Sequence, residues 1–281
     1  MSRIVLAVGI LVLGLGLLYP EIFRQAAESS IKGAMPVSRG KEEPVHLELI
    51  LKKVAGYCQR LERVSLHFVC NEGINEQIRS SWQSSHVYDY QLIRKAGHIE
   101  ERRILLEVNG ESKHEENAEL KTQRFRHKYV IFGPIGLFSV SQQRNHDYAV
   151  KKEEKFKEDS CLVIEAVPKA NVQVEHLFGR AWVRKKDFSI MKIEWNQESM
   201  KNIEKVEKEA KKIGAKSSLT FISEYAYEKN GIRFPSKYFV KEEYLLPGTG
   251  RIKMSETTVV YKDYRFFLVE TEVKIKQDDG S

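Results

Sequence analysis

Hydrophobic and polar residues alternate with a period of two along most of the second half of this chain. Met191-Ile193-Trp195, Phe221-Ser223-Tyr225-Tyr227, Phe234-Ser236-Tyr238-Val240 and Phe267-Val269-Thr271-Val273-Ile275 fall on alternate positions, and Lys, Glu and Arg fill most of the gaps. This spacing predicts strands with one face against a core. The stretch from Leu177 to Ile275 therefore reads as sheet with a broad aromatic face that something has to cover.

The first half supplies candidate covers. Leu47, Ile50, Leu51, Val54, Cys58 and Leu61 form one stripe at helical spacing, which predicts an amphipathic helix over 46–62. Val64-Leu66-Phe68-Cys70 then alternates as a strand. Strand signals resume at 87–93, turn at Lys95-Ala96-Gly97 and return from Ile99 to Val108, where Asn109-Gly110 marks a hairpin turn. Residues 111–129 are polar and weakly periodic, which predicts a loop with a short helix. Segment 130–138 is apolar but punctuated by Gly133-Pro134 and Gly136, and a regular strand would not hold Pro134 in its middle. Further strands are predicted at 147–155, 161–167, 177–184 and 190–195. A second helix over 199–213 carries Met200, Ile203, Val206, Ala210 and Ile213, with Gly214 as its stop.

The N-terminus differs from all of this. After Arg3, Ile4 to Leu18 is an unbroken apolar or glycine run closed by Tyr19-Pro20, the order of a secretory signal. As a helix its 15 residues rise about 22 Å, short of a hydrocarbon core of about 30 Å. No clean small-residue cleavage triplet follows, so a cleaved signal over 1–27 and an uncleaved anchor over 4–23 both stay open. Either one exports the folded part. A linker is expected over 28–44, one β domain over 45–276 and a frayed tail over 277–281.

Composition narrows the functional classes. Hydrophobic residues make up 42% and charged residues 30%, the balance of a folded protein. The net charge of +7 is a small excess of 46 basic over 39 acidic side chains. Lys and Arg mostly alternate with Glu, as in Lys151-Lys152-Glu153-Glu154-Lys155, which argues for a solvated face and against nucleic acid. A weak attraction to anionic membrane surfaces is compatible with the charge. Cys58 lies on the helix stripe and Cys70 on the inward side of the next strand, so a disulfide between them and two buried thiols are both open. Cys161 has no evident partner.

No motif of catalysis stands out. The eight histidines are scattered, and His114-Glu115-Glu116 lacks the second histidine a helical zinc site needs. There is no nucleophile elbow, phosphate loop or C-x-x-C. Adjacent carboxylates at Glu100-Glu101, Glu115-Glu116, Glu153-Glu154 and Glu242-Glu243 would point to opposite faces of a strand and are expected to be solvated. The chain reads as a non-enzyme that needs no metal or cofactor.

Two segments carry a family resemblance. Gly179-Arg180-Ala181-Trp182-Val183 leads through a charged turn to Ile190-Met191-Lys192-Ile193-Glu194-Trp195, and Asn230-Gly231-Ile232-Arg233-Phe234-Pro235 opens another strand. With the export run and the early helix, they resemble the LolA/LolB-like superfamily of bacterial outer-membrane lipoprotein sorting. That resemblance implies a mainly β, α+β fold: a curved, incomplete antiparallel β-barrel with helices covering its concave face. It also implies a periplasmic carrier or binding protein, in a Gram-negative-type bacterium, for lipids or lipidated proteins. The alternative within the same fold is an envelope regulatory protein that binds a protein partner and carries no lipid.

On the carrier reading the site is whatever gap the two helices and segment 130–138 leave on the aromatic face, whereas on the regulatory reading that face is core. Trp195, Tyr225, Tyr238 and Phe267 are the expected ligand-lining residues. Phe132, Ile135, Leu137 and Phe138 are expected to form either a mobile lid or a buried crossing that plugs one end of the sheet.

Overall fold

The alternating segments assemble into one open sheet in the computed structural model, which describes residues 43–267 apart from 65, 96–97, 171, 173–176, 202 and 249. The expected signal or anchor, most of the linker and the tail lie outside the described residues. So does the strand expected at 267–275, except Phe267.

Helix α1 (Glu43–Arg63) precedes three long strands, β1 (Leu66–Ile78), β2 (Trp82–Lys95) and β3 (His98–Val108), and a short one, β4 (Glu111–Glu115). After an irregular crossing, 116–129, come α2 (Gly133–Phe138) and α3 (Val140–Gln143), preceded by a single 3-10 turn. The strands β5 (His146–Phe156), β6 (Asp159–Pro168), β7 (Gly179–Arg184) and β8 (Ile190–Trp195) follow, and then α4 (Ile203–Lys211). The chain closes through β9 (Lys216–Glu224), the small β10 (Tyr227–Lys229) and β11 (Ile232–Phe234), β12 (Lys237–Leu245) and β13 (Arg251–Phe266).

Eleven of these strands form the antiparallel sheet, in the order β4-β3-β2-β1-β13-β12-β9-β8-β7-β6-β5. The sheet does not close, and β10 pairs only with β11. The chain folds as two meanders joined where the first long strand meets the last, with Phe68 opposite Phe266 and Ile74 opposite Val259. The Asn-Gly signals are turns in the structure. Asn109 and Gly110 have φ of 52° and 82°, Asn230 and Gly231 of 53° and 72°, the left-handed pair that a two-residue hairpin requires. Both edges are poor templates for another strand. The β4 edge is five exposed polar residues, and β5 carries three lysines and a bulge between Val150 and Lys152.

One face of the sheet is covered. Ile50, Val54, Cys58 and Leu61 of the α1 stripe are buried, but the helix packs on α2 and β11, and α2 in turn packs on β8. Segment 130–138 is thus an intermediate layer between helix and sheet. Pro134 sits in the first turn of α2, where its missing N–H costs nothing and its fixed φ favours a helix. The second expected helix is shorter than 199–213. Val206 and Ala210 are buried in α4, whereas Ile213 lies past its end, half exposed.

Two expectations need correction. The first strand does not stop near Cys70 but runs to Ile78, because Glu72, Ile74 and Glu76 continue the inward positions of Leu66, Phe68 and Cys70. Residues 116–129 contain no helix. They are held instead by hydrogen bonds to the sheet.

Candidate functional site

The apolar segment 130–138 meets the aromatic face at Gly133. A Cβ there would lie 2.5 Å from Tyr225 Oη and 3.1 Å from the Trp195 ring, so only a residue without a side chain lets the segment seat this deeply. Tyr225 Oη donates to the Val130 carbonyl at 2.9 Å, and Tyr148 Oη to that of Leu137 at 2.5 Å. Cys58 Sγ lies 3.4 Å from the Pro134 carbonyl. Phe132, Leu137 and Phe138 are buried, and Ile135 is half-buried. The segment is buried like a plug against the sheet, held by apolar contact and by donors aimed at its carbonyls.

Three of the four expected lining residues share one wall. Trp195, at the end of β8, donates Nε1 to Ser223 Oγ at 3.0 Å and tilts against Phe221 of β9 with centroids 5.9 Å apart. Phe221 meets Tyr238 of β12 edge-on at 5.1 Å. Tyr225 stands just past β9 and faces the plug directly. Burial pushes the Tyr225 and Tyr238 hydroxyls well above the ordinary phenol range, so both stay protonated. Phe267 is elsewhere. It is 49% exposed and tilts against His67 with centroids 4.9 Å apart, beside a separate cavity of about 170 Å³ shared with Lys229, Phe234 and Phe266.

The wall continues into a polar region that the alternation did not reveal. The crossing 116–129 lies over β1, β2 and β3 and is fastened by carboxylates pointing inward from the sheet. Glu76 accepts from the main-chain N–H groups of Gln123 and Arg124 at 2.8 and 2.9 Å. Glu101 accepts from the Tyr129 N–H at 2.6 Å. Glu242 takes the Arg124 guanidinium at two points, 2.7 and 2.6 Å, and Glu209 of α4 takes it at 2.7 Å. Glu72 holds Arg103 of β3 and His127 Nε2, the latter at 2.7 Å. Burial opposes ionisation of Glu72, but Arg103 and His127 outweigh it and pull the carboxyl down to about 2. For Glu76, which has no such ion pair, burial pushes the carboxyl up.

The expectation that paired carboxylates are solvated therefore fails for one member of two pairs. Glu242 is fully buried and the Glu101 side chain is 2% exposed. Their inward positions were legible as parity along the strand, but an acid at such a position mimics a solvent-facing residue. Of the scattered histidines, His86, His127 and His146 are buried.

Arg233, the variable position of the second family-like segment, is a buried hub. It donates to Ser189 Oγ at 2.8 Å, to the Tyr225 carbonyl at 3.3 Å and to Glu228 at 2.9 Å, and its main-chain N–H donates to Tyr57 Oη at 3.3 Å. The β10–β11 hairpin is tied in this way to both α1 and the wall around the plug. Of the two arrangements open for the cysteines, the structure holds separate thiols. Cys58, Cys70 and Cys161 are all free and buried. Among the described residues no group of three or more His, Cys, Asp or Glu is placed to hold a metal ion, and no helix is long and apolar enough to cross a membrane.

No protein-family model matches the chain, and no curated protein matches it. Solved structures of similar topology are found at low identity. A domain named as an outer membrane lipoprotein-sorting protein from Vibrio parahaemolyticus is 13% identical, covers 80% of this chain and 95% of its own, and has a TM-score of 0.43. A DUF1329 family protein from Desulfovibrio piger is 13% identical over 80% and 94%, with a TM-score of 0.36. A LolA superfamily protein from Nitrosomonas europaea is 12% identical over 78% and 94%, with a TM-score of 0.35.

Proposed function

We propose that this chain is an exported, non-enzymatic binding protein for acyl chains, either of lipids or of lipidated proteins, in which segment 130–138 occupies the acyl site until a ligand displaces it. The supporting observation is the seat of Gly133 against Trp195 and Tyr225. An apolar piece of the protein rests on the aromatic wall with no side chain interposed, and the nearby apolar residues Phe132, Leu137 and Phe138 fill the rest. Displacement exchanges one apolar occupant for another. Burial of an acyl chain gains about 0.8 kcal/mol per methylene, against about 1.5–3 kcal/mol for each large plug side chain exposed. Three such side chains are matched by roughly ten methylenes, so long chains displace the plug and short ones do not.

The apolar run Ile4–Leu18 supports export, to the periplasm of a Gram-negative-type envelope. The filled interior also supports the second reading, an envelope regulatory protein of the same fold that binds a protein partner without lipid. Native mass spectrometry after incubation with phospholipid vesicles or a lipidated peptide separates the two, with hydrogen exchange followed at 133–138. Acyl binding gives an adduct of ligand mass and faster exchange in the plug. Absence of any adduct with unchanged exchange would sink the acyl reading and leave the protein-partner one.

A further inference from the structure

The other face of the sheet carries a hollow of its own. Asn75 and Gln77 of β1 alternate with the inward Ile74 and Glu76, so they stand on the side away from the plug. A cavity of about 480 Å³ opens there, within the range of roughly 300–1,000 Å³ usual for small-molecule sites. No apolar side chain lines it.

Strand register sets most of the lining in two rows. Thr258 of β13, Asn75 of β1 and Ser85 of β2 are direct neighbours across the strands, and Asn109 joins them, its Oδ1 accepting from the Ser85 N–H at 2.9 Å. Two residues further along β1, Gln77 stands between Glu256 and Gln83. Neighbouring strands lie about 4.8 Å apart, so the first row is about 14 Å long. Most of these groups are unused. The side chains of Asn75, Gln83, Ser85 and Thr258 have no hydrogen-bond partner among the described residues. Ser84, which also lines the cavity, has a buried hydroxyl that nothing satisfies, a cost that a polar guest would remove.

The chemistry of the guest follows from these groups. Amides and hydroxyls both donate and accept, which suits a guest whose groups do the same, the hydroxyls of a sugar. An acyl chain would leave them all unpaired. An anion would meet the Glu256 carboxylate, while the nearby Lys253 Nζ already donates to Gln77 Oε1 at 2.6 Å and lies 3.8 Å from Glu256. A cation fares no better. Glu76 is committed to the N–H groups of Gln123 and Arg124, and the one carboxylate left is too few for a metal ion. A neutral polar row longer than one sugar ring matches a chain of sugar units.

We infer that this hollow is a binding site for a neutral oligosaccharide lying across β13, β1 and β2, its hydroxyls exchanging hydrogen bonds with Asn75, Gln83, Ser85 and Thr258. The site is separate from the plug and stands whether or not the chain binds acyl groups.

The test is saturation-transfer NMR on the full chain with maltotriose, cellotriose and triacetylchitotriose, and with trigalacturonate as an anionic chain of the same length. At least one neutral trisaccharide should receive saturation and trigalacturonate none. In the double variant Asn75→Ala/Gln83→Ala, losing the bonds of both residues predicts an affinity about tenfold lower. Both side chains are exposed and unpaired, so thermal unfolding should stay where it was. Absence of saturation in all three neutral glycans overturns the site. So does equal saturation of trigalacturonate, or an affinity unchanged in the variant. The acyl adduct is read separately by mass spectrometry, so failure here leaves that reading standing.

Discussion

Arg103 grips Glu72 at two points, Nε to Oε2 at 2.6 Å and Nη2 to Oε1 at 3.2 Å, with both side chains buried. The pair ties β3 to β1 beneath the crossing 116–129. Arg103 also lies 4.7 Å over the Tyr90 ring, whose hydroxyl donates to Glu101 at 2.6 Å. Charge, aromatic face and strand are thus locked together within the core that Ile74, Tyr88, Leu105 and Phe125 share.

Arg103→Met leaves Glu72 buried without its main counter-charge. A loss of about 3–5 kcal/mol is expected in urea unfolding. The double variant Glu72→Gln/Arg103→Met should lose less than the single Arg103→Met, because no charge is then stranded. The reverse order would mean that the pair is not the source of the effect.

Acid should undo the same contact in a defined window. The Glu72 carboxyl is ordinary at 4.5 in the unfolded chain and about 2 in the folded one. The unfolded state therefore binds the proton first, and the stabilisation is complete above about pH 4.5 and lost as pH falls toward 2. Urea midpoints measured from pH 6 down to pH 2.5 should fall more steeply for the natural chain than for Glu72→Gln.

How much of this was legible beforehand differs between the two halves of the covered face. Around the plug, Ile50, Val54, Cys58 and Leu61 announced a helix by spacing, and Trp195, Tyr225 and Tyr238 announced a wall by alternation. Hydrophobicity marks the inside there. Around the crossing segment it does not, since Glu72, Glu76 and Glu242 point inward and read as surface acids. What makes them interior is the arrival of Gln123, Arg124 and His127 from far along the chain, which no local pattern encodes. Phe267 failed for the opposite reason. It continues the alternation but stands just past β13 and is half exposed.

Gly133→Ala would ordinarily favour α2, since alanine is better than glycine in a helix by about 1 kcal/mol. Here it should destabilise by about 1–3 kcal/mol through overpacking against Tyr225. Tyr225 cannot retreat without giving up Val130. Tyr225→Phe in the same background removes the obstructing oxygen and should recover part of the loss, measured as a double-mutant cycle in thermal or urea unfolding.

Arg233→Lys keeps the charge but cannot serve Ser189, the Tyr225 carbonyl and Glu228 together, because an ammonium lacks the planar fork. A cost of about 1–3 kcal/mol follows for the donors and acceptors stranded in a buried place. Hydrogen exchange should quicken first in the 227–234 hairpin. Uniform acceleration across the sheet would show that Arg233 is not a local tie.

The cysteines make a simple chemical prediction. Burial raises the Cys58 and Cys70 thiols well above the ordinary range, so little thiolate exists at neutral pH. Intact mass under non-reducing conditions should count three free thiols, and iodoacetamide should label them only as the protein unfolds. A mass two hydrogens lower, assigned by peptide mapping to 58 and 70, would show that they pair in an oxidising space.

The pairing of β1 with β13 also governs how the chain reaches this form. Leu66–Ile78 can zip with β2 early, but its other edge waits for Arg251–Phe266, and until then the centre of the sheet is two unjoined meanders. Closing so distant a contact is entropically slow, on the order of milliseconds to seconds for sheets of this kind. The delay leaves the 13 residues of Leu66–Ile78 unlocked on one edge until Arg251–Phe266 has been made.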